Sequence, residues 1–226
     1  MKIIGVKTRR FKPPKDSLDE LLSYVDGKVG EQSVVAISSK VCSICTGDCI
    51  PIDSVNKETL EKSESLNVLT HKDTGEILLT QKADMLVEYG GVDTVYGGKY
   101  YVTLPKTPYK TAMEIWQILK KRNKLKSVGV IITDSHSVPF RKGSVGLAVA
   151  GYGFKPTYTR KQKGATADMI DGLAASANIV MGESDNHMPI TIISGIPDIK
   201  FFKKPLPPSI MRSYMYVRNN EVYNFK

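Results

Sequence analysis

The chain has 226 residues, of which 32 are Lys or Arg and 23 are Asp or Glu, a formal charge of +9. With 41% hydrophobic and 24% charged residues it has the make-up of a folded globular chain, and it is long enough to bury a core without disulfides. It opens on no apolar leader, carries no run approaching a bilayer span and has three cysteines, too few for a secreted disulfide framework; a cytoplasmic protein with an anionic partner is expected.

Residues 3–6 read as a short strand, followed by a basic, proline-stiffened loop at 9–15. A helix then starts at an S-x-x-E capping box, Ser17 and Glu20, with Leu18, Leu21, Leu22 and Val25 on one face. Residues 33–38 form a continuously apolar, buried strand. A short helix is predicted at 57–66 and small strands at 76–80 and 85–88. Two glycine pairs, Gly90-Gly91 and Gly97-Gly98, bracket a loop holding Asp93, and 100–104 is another strand. Residues 111–122 are an amphipathic helix with Ala112, Ile115, Trp116 and Leu119 in one stripe. Its basic exit lies at the end where the helix dipole favours cations. A buried strand at 128–133 ends at Asp134, and a glycine-spaced segment fills 143–153. A long helix is expected at 165–181, a core strand at 189–194 and a basic, irregular tail from about 197. No linker divides the chain, so residues 1–226 read as one α/β (α+β) unit of mixed sheets and packed helices.

Asp134 follows a buried strand, and ligands of α/β sheets gather at the carboxyl ends of strands. A turn or helix-capping aspartate accounts for it equally well. Glu183 stands just past a helix C-terminus, where the dipole disfavours an acid unless a cation is near. A solvated acidic loop is the alternative. Asp93 has a glycine-rich loop around it and reads alone as a turn residue. If these three carboxylates converge with a hydroxyl, their hard oxygens suit Mg²⁺ or Mn²⁺ rather than zinc.

The series Cys42, Cys45, Cys49 lacks a fourth metal ligand and reads as small buried hydrophobes. His136 and His187 adjoin the acids but carry no assigned role. Residues 152–163 interleave Tyr152, Phe154 and Tyr158 with Lys155, Arg160, Lys161 and Lys163. That pattern describes a single-strand nucleic-acid surface, a phosphate-binding lid or a solvated loop. No RNA-binding signature accompanies it, and neither standard phosphate loop is present.

Val128–Ser135 (VGVIITDS), then Phe140-Arg141-Lys142-Gly143 and Val145-Gly146, resembles the coenzyme F420-0:γ-glutamyl ligase family. Met181-Gly182-Glu183 and Gly91-Val92-Asp93 are similar to two further motifs of that family. Val6-Lys7-Thr8-Arg9, Pro13-Pro14-Lys15-Asp16 and Ser38-Ser39-Lys40 resemble its bacterial branch, labelled a folate-metabolism γ-glutamate ligase. The resemblance spans roughly residues 3–194. It implies a mixed α/β fold forming an intertwined homodimer. It also implies a GTP-dependent ligase that joins L-glutamate to an anionic, carboxylate-bearing acceptor through an acyl phosphate. The acceptor would be a deazaflavin coenzyme or a folate-like compound.

Metal ligands, for Mg²⁺ or Mn²⁺, would be Asp93, Asp134, Ser135 and Glu183. Nucleotide contacts would fall to Arg9, Arg10, Phe11, Lys12, Ser39, Lys40, Met181, Gly182, Ser184 and Asp185, with Asp134 and Arg141 catalytic. The chain departs from the family pattern at Thr46-Gly47-Asp48, where relatives carry E-G-R, and at Tyr96, where they carry Asn. It is also shorter between Phe154 and Asp168. These departures leave a second reading, a degenerate relative that binds nucleotide or RNA without turnover. Neither a membrane nor a nucleic acid is the expected partner.

Overall fold

A computed structural model describes residues 1–70, 73–74, 77–82, 85–138, 141–159, 166–182 and 186–215. In chain order the elements are β1 (Lys2–Val6), α1 (Leu18–Ser23), β2 (Ser33–Ser38), α2 (Ser39–Thr46), β3 (Cys49–Pro51), α3 (Lys57–Ser63), β4 (Asn67–Thr70), β5 (Ile77–Lys82), β6 (Met85–Val87), β7 (Asp93–Val95), β8 (Tyr100–Val102), α4 (Pro108–Arg122), β9 (Val128–Ser137), β10 (Ser144–Tyr152), β11 (Thr157–Thr159), β12 (Thr166–Asp168), α5 (Ile170–Met181), β13 (Ile190–Ser194) and α6 (Pro208–Met215).

Five strands make the central sheet in the order β1-β13-β2-β9-β10. Within it β2 and β9 run parallel, from Ser33↔Val128 to Ser38↔Thr133, and the other pairings are antiparallel. The two parallel strands are apolar on both faces because both faces are covered. Val35, Ile37, Val130 and Ile132 pack with Leu21 and Leu22 of α1 and Ile115, Trp116 and Leu119 of α4. Val34, Ala36, Ile131 and Ile193 pack with Leu173, Ala174 and Ala177 of α5. The stripe expected on α4 is therefore the stripe it buries.

The glycine-spaced segment is β10, and its glycines let α5 lie close. A Cβ on Gly146 would stand 2.3 Å from the Ala174 carbonyl oxygen. Three small sheets flank the main one, in the orders β3-β8-β7, β4-β5-β6 and β11-β12. No helix among the described residues is long and apolar enough to cross a membrane.

Five local expectations change. Residues 39–46, not assigned from the sequence, are the helix α2, which ends at Gly47 with φ 83°. Asp93 is not in a loop: it opens β7 and pairs with Val102. β9 does not stop at Thr133. It outruns β2 and continues to Ser137 as a ribbon with β10. The long helix begins only at Ile170, because the preceding residues form β12 and the Met169 and Ile170 amides donate to the Pro156 carbonyl at 2.9 and 3.0 Å. The tail is not irregular throughout: α6 buries Met211 completely.

Candidate functional site

The parallel pairing of β2 and β9 ends at Ser38↔Thr133, and the site lies where the two strands then part. β2 turns directly into α2, which starts at Ser39, while β9 carries on into Asp134. The Ser39 hydroxyl donates to Asp134 Oδ1 at 2.8 Å. One residue on, Lys40 Nζ lies 3.0 Å from Asp93 Oδ2, bringing β7 to the same place.

Asp134 is partly buried. Loss of solvent pushes its carboxyl up to about 6. The Ser39 hydroxyl pulls the other way, the nearby Asp93 charge adds to the rise, and the Lys40 ammonium opposes it. Asp93 and Asp134 are thus close enough to repel, and the Lys40 ammonium offsets part of their negative charge. The donors here are all oxygen: two carboxylates and the Ser39 and Ser135 hydroxyls. They suit a hard divalent cation such as Mg²⁺ or Mn²⁺. Among the described residues no group of three or more His, Cys, Asp or Glu surrounds a common point. Glu183, Ser184 and Asp185, expected at this site, lie outside the described residues.

A pocket of about 530 Å³ opens onto this cluster. Its walls come from five places: the segment after β1 (Thr8, Arg9, Arg10, Phe11), the β2–α2 junction (Ser38, Lys40), the turn after β7 (Tyr96, Gly97), the end of α5 (Asn178, Met181, Gly182) and the segment before β13 (Asn186, His187). Thr133, Asp134 and Ser135 of β9 complete it. The sequence candidates Arg9, Arg10, Phe11, Lys40, Met181, Gly182, Asp134 and Ser135 therefore share one pocket. Ser39 is buried behind them and holds Asp134. Lys12 is exposed, its amide donating to Asp16 Oδ2 at 2.8 Å. Arg141 is exposed in the β9–β10 connection and is not among the described pocket-lining residues.

Arg9 is committed within the protein. Its Nη1 and Nη2 donate to Asp16 at 2.8 and 2.7 Å, and its Nε and Nη2 donate to Glu20 at 2.5 and 2.6 Å. Its guanidinium lies 4.4 Å from the centre of the Phe11 ring. The Arg9 hydrogen bonds hold the Asp16 carboxyl well below the usual carboxylate range. They also divert Glu20 from the capping box. Ser17 Oγ still accepts from the Glu20 amide at 3.0 Å, but the Ser17 amide donates to Asp16 instead. Arg9 Nη1 donates to the Arg10 carbonyl at 2.9 Å, so this network shapes the loop that presents Arg10.

The cysteines are inert hydrophobes. Cys42 and Cys45 are buried on α2, and burial pushes the Cys45 thiol up to about 12 and the Cys49 thiol to about 11. Tyr152 and Phe154 are core residues at 1% exposure. Two of the three aromatics in the 152–163 stretch are therefore unavailable for stacking on a nucleic acid. Tyr96, Asn178 and Asn186 line the pocket without having been chosen from the sequence. The signal for Tyr96 was its place before Gly97-Gly98. Asn178 had none, since it is one polar residue on an apolar helix.

The family model described as "F420-0:Gamma-glutamyl ligase" matches residues 5–195. A protein of Methanopyrus kandleri named "Coenzyme F420:L-glutamate ligase" is 29% identical over 89% of this chain and 93% of its own. Proteins of the same name from Methanocaldococcus jannaschii and Methanococcus maripaludis (strain C7) are each 30% identical. They cover 86% and 87% of this chain and 88% and 89% of their own. With the expected enzyme class, a γ-glutamyl ligase, upheld by these relatives, the chain belongs to the F420-0:γ-glutamyl ligase family.

Proposed function

We propose that this protein joins L-glutamate to the carboxylate of an anionic acceptor, a deazaflavin coenzyme or a folate-like compound, consuming GTP and requiring Mg²⁺ or Mn²⁺. The observation that carries the reading is the meeting of Asp134, Ser39, Asp93 and Lys40 at the parting of β2 and β9, with Asp134 and Lys40 lining a pocket. Asp93, Asp134 and Ser135 would hold the cation, with Glu183 as a further ligand. When bound, it screens the phosphates and stabilises charge developing on the transferred phosphoryl group.

A carboxylate is a poor electrophile. Transfer of the γ-phosphoryl group of GTP to the acceptor carboxylate oxygen gives GDP and an acyl phosphate. The deprotonated amine of L-glutamate then attacks the acyl carbon and inorganic phosphate leaves. Lys40 supplies positive charge at the phosphates, and Ser39 fixes the Asp134 carboxylate so that it need not reorganise. Arg9 acts through the Arg10 carbonyl rather than on the nucleotide. The protein works as an intertwined homodimer in this reading, and sedimentation equilibrium tests the dimeric mass.

Calorimetric titration of GTP with and without Mn²⁺ tests the proposal. GTP is expected to bind with a large Mn²⁺-dependent gain, and Asp134→Asn is expected to abolish that gain with an unchanged circular dichroism spectrum. GTP binding indifferent to Mn²⁺, or none, defeats the reading.

A further inference from the structure

The turn after β7 holds three successive residues with left-handed backbone: Tyr96 at φ 56°, Gly97 at 64° and Gly98 at 80°. Glycine takes this conformation freely, and a tyrosine does not. A Cβ on Gly97 or Gly98 would meet open space, so backbone angle rather than crowding calls for glycine there. Tyr96 alone keeps a side chain in the strained run. Burial does not repay it, because the residue is 37% exposed. Strain of this kind persists where a side chain is needed at one place.

That place is the rim of the pocket, which Tyr96 and Arg10 both line. The Arg10 guanidinium sits 5.9 Å from the centre of the Tyr96 ring. The two come from different elements and are independently held. The backbone that presents Arg10 is held at its carbonyl by Arg9, and Tyr96 is set by its turn. An aromatic ring and a guanidinium plane are the two side-chain surfaces on which flat heteroaromatic rings stack. Tyr96 directly follows β7, three residues past Asp93, so at about 3.3 Å per extended residue the two backbones lie up to about 10 Å apart. A phosphate–ribose arm or the linker of a carboxylate-bearing acceptor can bridge that interval.

We propose that Tyr96 and Arg10 form a stacking subsite at the pocket rim for the planar heteroaromatic ring of a substrate. The inference rests on the ligase reading above and names which part of the substrate is held at this rim. The ring comes either from the nucleobase of the triphosphate or from the acceptor, and the two sources are separable by probe.

Binding is measured for wild type, Tyr96→Leu and Tyr96→Phe with four probes: GTP, inorganic tripolyphosphate, a carboxylate-bearing deazaflavin and pteroate. Loss of one stacking partner weakens a ring-bearing probe by about ten-fold or more. Tyr96→Leu is expected to show this for at least one ring-bearing probe, Tyr96→Phe to restore it, and tripolyphosphate to bind all three proteins alike. Weakening confined to GTP assigns the nucleobase. Weakening confined to the deazaflavin or pteroate assigns the acceptor. Tyr96→Gly adds a second readout: thermal stability holds or rises as strain is relieved, while ring binding falls.

Equal binding of every probe by Tyr96→Leu overturns the subsite and leaves the ligase reading intact. A matching loss of tripolyphosphate affinity also overturns it, since the tyrosine would then act by shaping the pocket. If wild type binds tripolyphosphate but no ring-bearing probe, the subsite falls and the phosphate site survives. If it binds none of the four, both fall.

Discussion

Asp134 concentrates the energetics of the site in one carboxyl group. An unfolded aspartate titrates near 3.8, whereas burial raises this one to about 6. Between those values the native state binds more protons than the unfolded state, so stability falls as pH rises through the window. Above about 6 the loss is complete, and it amounts to about 3 kcal/mol. In the absence of divalent cation, urea unfolding from pH 3 to 7 is expected to show this contribution as the difference between wild type and Asp134→Asn, because Asp16, held low by Arg9, contributes with the opposite sign. The Asp134→Asn protein, with nothing to ionise there, is expected to lack a decline of about that amount. Identical pH profiles for the two proteins would remove Asp134 as the cause. By the same linkage, Mn²⁺ must displace a proton below about pH 6, so its affinity is expected to drop on acidification.

At the scale of elements, the site depends on how closely α5 lies on β10. Gly146 sets that approach: its missing Cβ would also stand 2.8 Å from Asn178 Cβ, and Asn178 lines the pocket. A methyl group cannot be absorbed by the backbone it meets, so Gly146→Ala must lift the helix. Overpacking of this kind costs about 1–3 kcal/mol. The variant is expected to unfold at lower urea and to bind GTP more weakly, because Asn178 and Met181 shift with α5. An unchanged unfolding midpoint would show that the close contact is not tight in solution. The helix itself was readable from its alanine-rich pattern. Its start was not, because the Pro156 carbonyl that receives the Met169 and Ile170 amides belongs to a distant turn. Similarly, the capping box at Ser17 was legible, but only half of it forms, since Arg9 outcompetes the Ser17 amide for Glu20.

At the scale of the whole molecule, residues 200–215 run as a strap across the core and α6 packs against α4. The Lys155 amide donates to the Lys200 carbonyl and the Phe202 amide to the Gly153 carbonyl, both at 2.8 Å. The buried Tyr152 hydroxyl donates to the Leu206 carbonyl and accepts from the Leu206 amide. Beyond it, Met211 of α6 is completely buried in the core, with α6 packed against α4 and β10. Met211→Ala is expected to destabilise the protein by about 2–5 kcal/mol. Thermal melting checks it, and a change within error would mean that α6 is dispensable. The lysines and prolines of this segment concealed it, because a residue such as Met211 reveals no partner without the surface it fills.

The sequence by itself determined the parts that depend on local pattern. The apolar runs of β2 and β9 and the stripe of α4 followed from residue type and spacing. The ordered blocks around Asp93, Asp134 and Met181 pointed to the family by resemblance and offered their acids as site candidates. Tertiary structure alone decided what those residues do to one another. It joined Ser39 to Asp134 across 95 positions of sequence and set Lys40 against Asp93. It also withdrew Arg9 into a carboxylate clamp and stood Tyr96 against Arg10. A hydrogen bond or an ion pair depends on separation in space, and that separation is set only when the strands pair and the helices pack.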